Sequence, residues 1–194
     1  MWTVVIETGA ANSASVLSGL TRAGANPTLV ESPQAVRSAD RVVLPGVGAF
    51  GPAMEKLTRC GIAEALVERV TADRPTLAIC LGFQLLFSGS EESPGVPGLG
   101  VIDRQITAFD ETVTVPQMGW NRVTPGAGST LEAGWAYFAN SYKAQALPAD
   151  WAVTTATHGS VFAAAAQRGA VLACQFHPEL SGPWGQRILK EWLC

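Results

Sequence analysis

The chain is poor in charged residues and in residues that bind metals. Only 15% of its 194 residues are Asp, Glu, Lys or Arg, the net charge is −3, and the 13 basic residues form no run. This distribution gives no support for binding to nucleic acid or to a membrane surface. The four cysteines show no CxxC or comparable spacing and there are only two histidines, so we expect no metal and no cofactor.

Long apolar runs are absent as well. No segment reaches the about 18 uninterrupted apolar residues of a membrane helix, and no basic segment precedes an apolar one at the N-terminus, so we expect a cytoplasmic protein. The chain is nevertheless 47% hydrophobic, which fits a buried sheet with a face covered by a partner. Its length suits one substantial core, and we expect a single domain over residues 1–194.

Short apolar strands alternate with helical patterns through the first half of the chain. This alternation predicts an α/β fold of the flavodoxin-like, doubly wound type, with a mostly parallel sheet and helices on both faces. Asn12 is expected to cap the first helix and Gly24 to end it. The strands are predicted at residues 3–6, 27–30, 40–44 and 75–80, and a helix at residues 62–72.

The pattern changes after residue 88, where short strand-like runs are separated by loops. We expect these runs to add antiparallel strands in the C-terminal half, followed by a closing amphipathic helix. Arg168 and Gly169 mark the turn of a hairpin between two of them. The runs lie at residues 101–106, 113–115, 135–138, 151–156, 160–167 and 170–176.

Two of these strands end in residues that suit nucleophilic catalysis. Cys80 closes the strand pattern PTLAIC and opens the helical pattern LGFQLLF, so its thiol lies on a tight turn at the positive end of a helix. His177 follows a second apolar strand, and Glu179 comes two residues later. Together they predict a Cys-His-Glu triad. Each residue alone has another interpretation. Cys80 could be a small residue of the core, and His177 could be a turn residue before proline.

A glycine-rich turn, PGVG at residues 45–48, ends the third predicted strand. Cys80, this turn and His177 all fall at carboxyl ends of predicted strands, where doubly wound sheets bind their ligands. The coincidence favours a site at that edge of the sheet. The alternative is that the turn merely closes the third strand.

Four segments carry a family resemblance that covers essentially the whole chain. The chain resembles the class I (triad) glutamine amidotransferases and, within them, the glutaminase subunits of imidazole glycerol phosphate synthases of histidine biosynthesis. The wider family is marked by residues 79–86 and 175–181. The subfamily is favoured by the PGVG turn, by MGWN at residues 118–121 and by YFANSY at residues 137–142. The segments are LPGVGAF at 44–50, ICLGFQLL at 79–86, PQMGWN at 116–121 and QFHPELS at 175–181.

The resemblance implies hydrolysis of glutamine to glutamate and ammonia. The ammonia would pass to a separate (β/α)₈-barrel synthase subunit, which would form a heterodimer with this chain. The heterodimer would make imidazole glycerol phosphate and aminoimidazole carboxamide ribotide. Cys80 would attack the glutamine amide, His177 would transfer protons and Glu179 would orient the imidazole. The backbone N–H groups of Leu81 and Val47 would bind the oxyanion, with Val47 turned away until the partner is occupied.

The same resemblance assigns residues to the substrate and to the partner. The residues that it implies in glutamine binding are Gly48, Gln84, Ser141 and Tyr142. Those that it implies at the synthase interface and ammonia exit are Asn12, Met118, Trp120 and Asn121. From periodicity alone Gln84 is equally a solvent-facing helix residue, and Trp120 is by habit a core residue.

The chain departs from the family pattern on segments that are expected to meet the synthase. Gln117 and Asn140 stand where His is usual, Leu180 stands where Lys is common, and residues 7–12 differ from the usual first loop. Three other functions remain alternatives: the amidotransferase component of anthranilate or aminodeoxychorismate synthase, a non-catalytic flavodoxin-like module, and a free cysteine peptidase. The MGWN run argues against the first, the retained triad against the second, and the lack of a specificity element against the third.

Overall fold

A computed structural model describes residues 1–8 and 13–194, and Asn12 therefore lies outside the described residues. Within them, nine strands form one large sheet whose first five strands are parallel. In spatial order these are β2 (Thr28–Val30), β1 (Thr3–Ile6), β3 (Arg41–Leu44), β4 (Thr76–Ile79) and β12 (Val171–Cys174).

Antiparallel strands extend the same sheet beyond β12. The hairpin expected at Arg168 and Gly169 is confirmed, and it joins β11 to β12. The large, mainly parallel sheet confirms the predicted fold class. The added strands are, in spatial order, β11 (Ser160–Arg168), β10 (Ala152–His158), β7 (Gln117–Pro125) and β8 (Gly134–Asn140), so that β8 forms the edge.

Helices cover both faces of the sheet because alternate strand residues point to opposite sides. Val42 and Leu44 of β3 pack in the core beneath α2 to α5, whereas Val43 packs in the core beneath α1 and α6. The longest of the described helices has 12 residues, and none combines the length and apolarity needed to cross a bilayer. The helices are α1 (Ser13–Arg22), α2 (Pro33–Ser38), α3 (Phe50–Arg59), α4 (Ile62–Thr71), α5 (Leu81–Leu85) and α6 (Gly182–Leu193).

Three short strands form a second sheet beside the first. β5 (Phe87–Ser90) pairs in parallel with β6 (Ile102–Ala108), and β6 pairs antiparallel with β9 (Tyr142–Lys143). The strand predicted at residues 101–106 is therefore real, but it belongs to this second sheet and not to the large one. Because the second sheet is separate from the large one, its strand β9 lies close to the site described below.

The strand predicted at residues 113–115 is wrong, because this segment is an irregular connection leading into β7. Its backbone bonds to a side chain instead of to a strand, since the Thr114 carbonyl lies 2.9 Å from Nε2 of His158. Val113 also packs closely on Gly159, where a Cβ atom would lie 2.6 Å from Cγ1 of Val113. Three consecutive β-branched residues, Val113 to Val115, misled the prediction, because tertiary contacts decide the conformation of so short a run.

Candidate active site

Cys80 occupies a strained turn between β4 and α5. Its backbone has φ +54° and ψ −109°, a combination that few non-glycine residues adopt. The turn is tight because α5 begins directly against β3: a Cβ atom on Gly82 would lie 2.1 Å from the Leu44 carbonyl oxygen. The strain holds the Cys80 side chain at the carboxyl edge of the sheet, where its sulfur is reachable although only 6% of the residue is exposed.

His177 and Glu179 form a buried pair at the end of β12. Nδ1 of His177 lies 2.9 Å from Oε1 of Glu179, and the two residues are only 3% and 6% exposed. A carboxylate only accepts hydrogen bonds, so Nδ1 carries the hydrogen and Nε2 is left to exchange a proton with Cys80. The short 3₁₀ turn Pro178–Leu180, which His177 precedes, allows both side chains to come from positions two apart in one segment.

Backbone contacts with β8 fix the position of the imidazole. The His177 N–H donates to the Tyr137 carbonyl at 2.9 Å. The Ser181 hydroxyl accepts from the Tyr137 N–H at 3.0 Å and donates to the His177 carbonyl at 2.6 Å. His177 is thus linked to Tyr137 of the edge strand once directly, through its N–H, and once through the Ser181 hydroxyl.

The surroundings of His177 favour its protonated form. Burial of the ring lowers the pKa and is the largest single influence, but hydrogen bonds and charge interactions with Cys80 and Glu179 together outweigh it and raise the pKa to about 10. An imidazolium between a carboxylate and a sulfur is the partner that a thiolate needs. The pair is therefore arranged for transfer of a proton between sulfur and imidazole.

A cavity of about 260 Å³ opens over the Cys80 sulfur. It brings together most of the predicted residues, whereas Glu179 lies behind the imidazole, in a separate small cleft. Three lining residues were not predicted, namely Glu92, Ala139 and Asn140. The predicted residues that line the cavity are Val47, Gly48, Cys80, Leu81, Gln84, Ser141, Tyr142 and His177.

Glu92 is the one carboxylate among the described residues that line this cavity. Its Oε2 accepts the backbone N–H of Phe50 at 2.9 Å, so its charge lies at the positive N-terminal end of α3. The contact joins positions 42 residues apart in the sequence. The acidic pair at 91–92 within a loop is the only sequence signal that Glu92 leaves, and that signal is weak.

The predicted oxyanion site is closed by a hydrogen bond. The Leu81 N–H donates to the carbonyl of Gly46 at 3.3 Å. In a planar trans peptide the carbonyl and the following N–H point in opposite directions, so the Val47 N–H points away from Leu81. Gly46 approaches Leu81 closely because glycine has no side chain. A Cβ atom at position 46 would lie 2.8 Å from Cβ of Leu81. Gly48, with φ +106°, holds the other end of the turn in a conformation that favours glycine.

Gln84 is a buried residue of the site, and its interpretation as a solvent-facing helix residue is wrong. Only 5% of it is exposed, and its Nε2 donates to the Tyr142 carbonyl at 3.2 Å. Asn140 donates to the same carbonyl at 2.9 Å. Two amide side chains therefore fix the backbone of β9 where it borders the cavity.

Met118 and Trp120 lie outside the cavity, on the outer face of β7 and β8. They are 69% and 55% exposed, so the interpretation of Trp120 as a core residue is wrong. The β7–β8 register pairs Met118 with Ala139 and Trp120 with Tyr137. Ala139 also lines the cavity that contains Cys80. A single residue, Ala139, therefore connects this outer face to the cavity.

Asn121 contributes to a neighbouring groove of about 360 Å³. Its Nδ2 donates to the Thr157 carbonyl at 2.9 Å, and its Oδ1 accepts the backbone N–H of Arg122 at 2.7 Å. These bonds give Asn121 a structural role in joining β7 to β10. Elsewhere among residues 1–8 and 13–194, no group of three or more His, Cys, Asp or Glu side chains is placed as metal ligands would be.

Comparisons with known proteins identify the family and the fold of the chain. The family model of glutamine amidotransferase class-I matches residues 4–194. A crystal structure of a glutamine amidotransferase superposes with a TM-score of 0.78 over 97% of each chain, at 19% identity, which shows a shared fold.

Two curated relatives narrow the assignment. The imidazole glycerol phosphate synthase subunit HisH of Symbiobacterium thermophilum is 38% identical over 97% of this chain and 92% of its own length. The chloroplastic imidazole glycerol phosphate synthase hisHF of Arabidopsis thaliana is 42% identical over 97% of this chain, which corresponds to 33% of that longer protein. The chain therefore belongs to the class-I glutamine amidotransferases and, within them, to the HisH subunits of imidazole glycerol phosphate synthase.

Proposed function

We propose that this chain is a single glutaminase domain that hydrolyses glutamine at Cys80 and supplies ammonia to a separate synthase subunit. The observation that carries the proposal is the buried His177–Glu179 pair beside a strained cysteine at the edge of the sheet. A non-catalytic module has no need to hold Cys80 in a costly backbone conformation.

The Cys80 thiolate attacks the side-chain amide carbon of glutamine, and a tetrahedral oxyanion forms. Its collapse breaks the C–N bond, and protonated His177 gives its proton to the departing nitrogen, releasing ammonia. Water then attacks the thioester with His177 as base, and glutamate leaves while the thiolate is restored. Glu179 keeps Nδ1 protonated throughout, so that Nε2 performs each transfer.

Substrate binding follows from the polar groups that line the cavity. The α-ammonium group of glutamine needs an acceptor, and the carboxylate of Glu92 supplies the negative charge. Gln84, Ser141 and Tyr142 line the wall around it, and Gly48 leaves room beside Val47. The charge and size of the cavity therefore suit one free amino acid.

The closed oxyanion site suits a glutaminase that is silent until its partner is ready. Rotation of the Gly46–Val47 peptide would remove an acceptor from the Leu81 N–H and bring the Val47 N–H toward the substrate. One missing donor lowers the rate about 10²–10³-fold. We propose that occupancy of the synthase favours this rotation.

The partner is proposed to be a (β/α)₈-barrel synthase that docks on the outer face of β7 and β8. The exposed Met118 and Trp120 suit such a contact, because contiguous exposed apolar side chains are typical of interaction surfaces. The complex would convert a ribulosyl-aminoimidazole precursor and ammonia into imidazole glycerol phosphate and aminoimidazole carboxamide ribotide. We place this complex in the cytoplasm, with Asn12 as a further interface residue.

The division of labour is tested with Cys80→Ala in the reconstituted complex. We expect glutamine-dependent synthesis to vanish while synthesis from ammonium salts continues, since the thiolate acts only in releasing ammonia. Cys174→Ala is the matched control, because Cys174 is a buried thiol on the adjacent strand. Burial and the charge of Glu179 raise the pKa of the Cys174 thiol. Loss of both activities in a folded Cys80→Ala complex would contradict the proposal.

A further inference from the structure

Gln175 is a fully buried residue with no role in the mechanism described above. It follows β12, and its backbone N–H donates to the Ala164 carbonyl of β11 at 2.8 Å. Its side chain lies against the nucleophile, with Nε2 3.8 Å from Sγ of Cys80. Its other amide atom, Oε1, lies 2.9 Å from Nε2 of Gln84.

The hydrogen-bond network fixes which amide atom of Gln175 faces the sulfur. The Tyr142 carbonyl only accepts hydrogen bonds, so the Gln84 atom beside it, at 3.2 Å, is the nitrogen. That same nitrogen faces Gln175, and the Gln175 atom opposite it is therefore the oxygen. The Gln175 nitrogen is left to face Cys80. One backbone carbonyl thus sets the orientation of two side chains.

A second contact of the sulfur has the opposite preference. Sγ of Cys80 lies 3.9 Å from the Ala139 carbonyl, which only accepts and therefore suits the S–H form. An N–H donor stabilises the negatively charged sulfur more than the neutral one. Burial strengthens both contacts because the surrounding dielectric is low. Gln175 and Ala139 therefore favour different protonation states of one sulfur.

We propose that Gln175 stabilises the Cys80 thiolate through its amide N–H, and that Gln84 is the positioning residue that holds this amide in the required orientation. The inference rests on the proposed glutaminase function and adds two roles to it. It also restricts how Gln84 meets the substrate. Both hydrogens of its Nε2 are engaged, by Tyr142 and by Gln175, so only its Oε1 remains for glutamine.

The test is the rate of Cys80 alkylation by iodoacetamide as a function of pH, measured in the complex by peptide mapping. A background with Cys60→Ser and Cys194→Ser removes the two other accessible thiols. This small reagent reports on the thiolate without requiring the glutamine site. The titratable groups around the sulfur, unchanged in every variant, are Glu92, Tyr142, Cys174, His177 and Glu179.

For Gln175→Met, which keeps the length and removes the donor, we expect the midpoint of the alkylation profile to move about one pH unit higher, the size of a hydrogen bond to a charged group. Gln84→Met should move it in the same direction, and the double variant should equal Gln175→Met, because both act through one bond. Gln34→Met, on the exposed face of α2, is the matched control and should leave the profile unchanged.

A Gln175→Met profile that superimposes on that of the background protein would overturn the proposal. If Gln175→Met does not fold, Gln84→Met decides: it leaves Gln175 in place, removes the donor that orients its amide, and must raise the midpoint without adding a charge near the sulfur. A separate measurement tests the proposed function: it is contradicted if the complex of the background protein forms no glutamate from glutamine. An active complex with unmoved midpoints contradicts only the role of Gln175.

Discussion

Gln117 and Asn140 are opposite each other across β7 and β8, and each carries a buried amide oxygen. Neither oxygen has a hydrogen-bond partner within the described residues 1–8 and 13–194. Asn140 lines the active-site cavity and Gln117 lines the groove beside Trp120. The two positions at which the sequence departs from the pattern expected by resemblance are thus direct neighbours, between the candidate-site cavity and the proposed docking face.

An unpaired buried amide oxygen lowers stability, whereas an apolar group of similar shape does not. We therefore expect Gln117→Met to leave the free energy of unfolding unchanged or to raise it by up to about 1 kcal/mol. Urea denaturation measures the difference. Gln167→Met is the control, because Oε1 of Gln167 accepts two hydrogen bonds from Thr130 and its loss should destabilise. A clear loss of stability in Gln117→Met would show that its oxygen is paired.

The proposed triad assigns unequal tasks to its base and its carboxylate. His177 transfers the proton, so His177→Asn should lower glutamine hydrolysis in the complex by about 10²–10⁴-fold. Glu179 only orients and stabilises the imidazole, and Glu179→Gln should give a smaller loss. Steady-state glutamate release measures both, with ammonium-dependent synthesis as the control for folding. Wild-type turnover in His177→Asn would remove this residue from the mechanism.

The raised pKa of His177 makes stability depend on pH. The folded protein binds this proton more tightly than the unfolded chain, whose imidazole titrates near 6.5. The stabilisation is therefore complete below about pH 6.5, and it is lost as the pH rises toward 10. We expect the free energy of unfolding to fall across this range, and the fall to be smaller in Glu179→Gln. An equal slope in both proteins would show that Glu179 does not hold the proton.

Gly48 is predicted to govern activation more than assembly. Gly48→Val places a β-branched residue at φ +106° and hinders rotation of the Gly46–Val47 peptide. Stimulation of the glutaminase by occupied synthase should fall at least about 10-fold, while affinity for the synthase stays near that of wild type. Gly24→Val is a close control, since Gly24 has φ +104°, equally open surroundings and a position far from the site. Equal loss of stimulation in both variants would indicate general backbone strain.

Trp120 is predicted to retain ammonia within the complex. Trp120→Ala should raise the ratio of glutamate to imidazole glycerol phosphate above one at saturating acceptor, because ammonia escapes before it reaches the synthase. Trp135→Ala is the matched control: it removes a tryptophan of similar exposure, 59%, from the same face but farther from Ala139. An unchanged ratio in the Trp120 variant would exclude this residue from the ammonia path.

The grouping of Cys80, His177 and Glu179 in the candidate site was predictable because their signals are local. Cys80 joins a strand pattern directly to a helix pattern, and only one residue separates His177 from Glu179, so neighbouring sequence defines each position. The parallel half of the sheet was predictable for the same reason. Helix α3 also has a local signal, apolar residues at positions 50, 53, 54 and 57, which the prediction did not use.

Contacts between distant segments could not be predicted in this way. Glu92 reaches the site through a bond to Phe50, and Gln175 through bonds to Gln84 and Cys80 across more than 90 residues. Nothing in the local sequence of either residue specifies these partners. The closure of the oxyanion site by Gly46 is likewise visible only in three dimensions, because it depends on the orientation of one peptide plane.

The contact of Tyr137 with His177 links the proposed docking face to the proposed catalytic base. Tyr137 packs edge-to-face on Trp120, with ring centroids 6.2 Å apart, and its backbone bonds to His177 directly and through the Ser181 hydroxyl. A partner that displaces Trp120 therefore acts on the base through a single residue. Thermodynamic reciprocity then requires that if the synthase tightens glutamine binding by some factor, glutamine tightens synthase binding by the same factor. The cell's glutamine concentration would in that case help to determine how much of the complex is assembled.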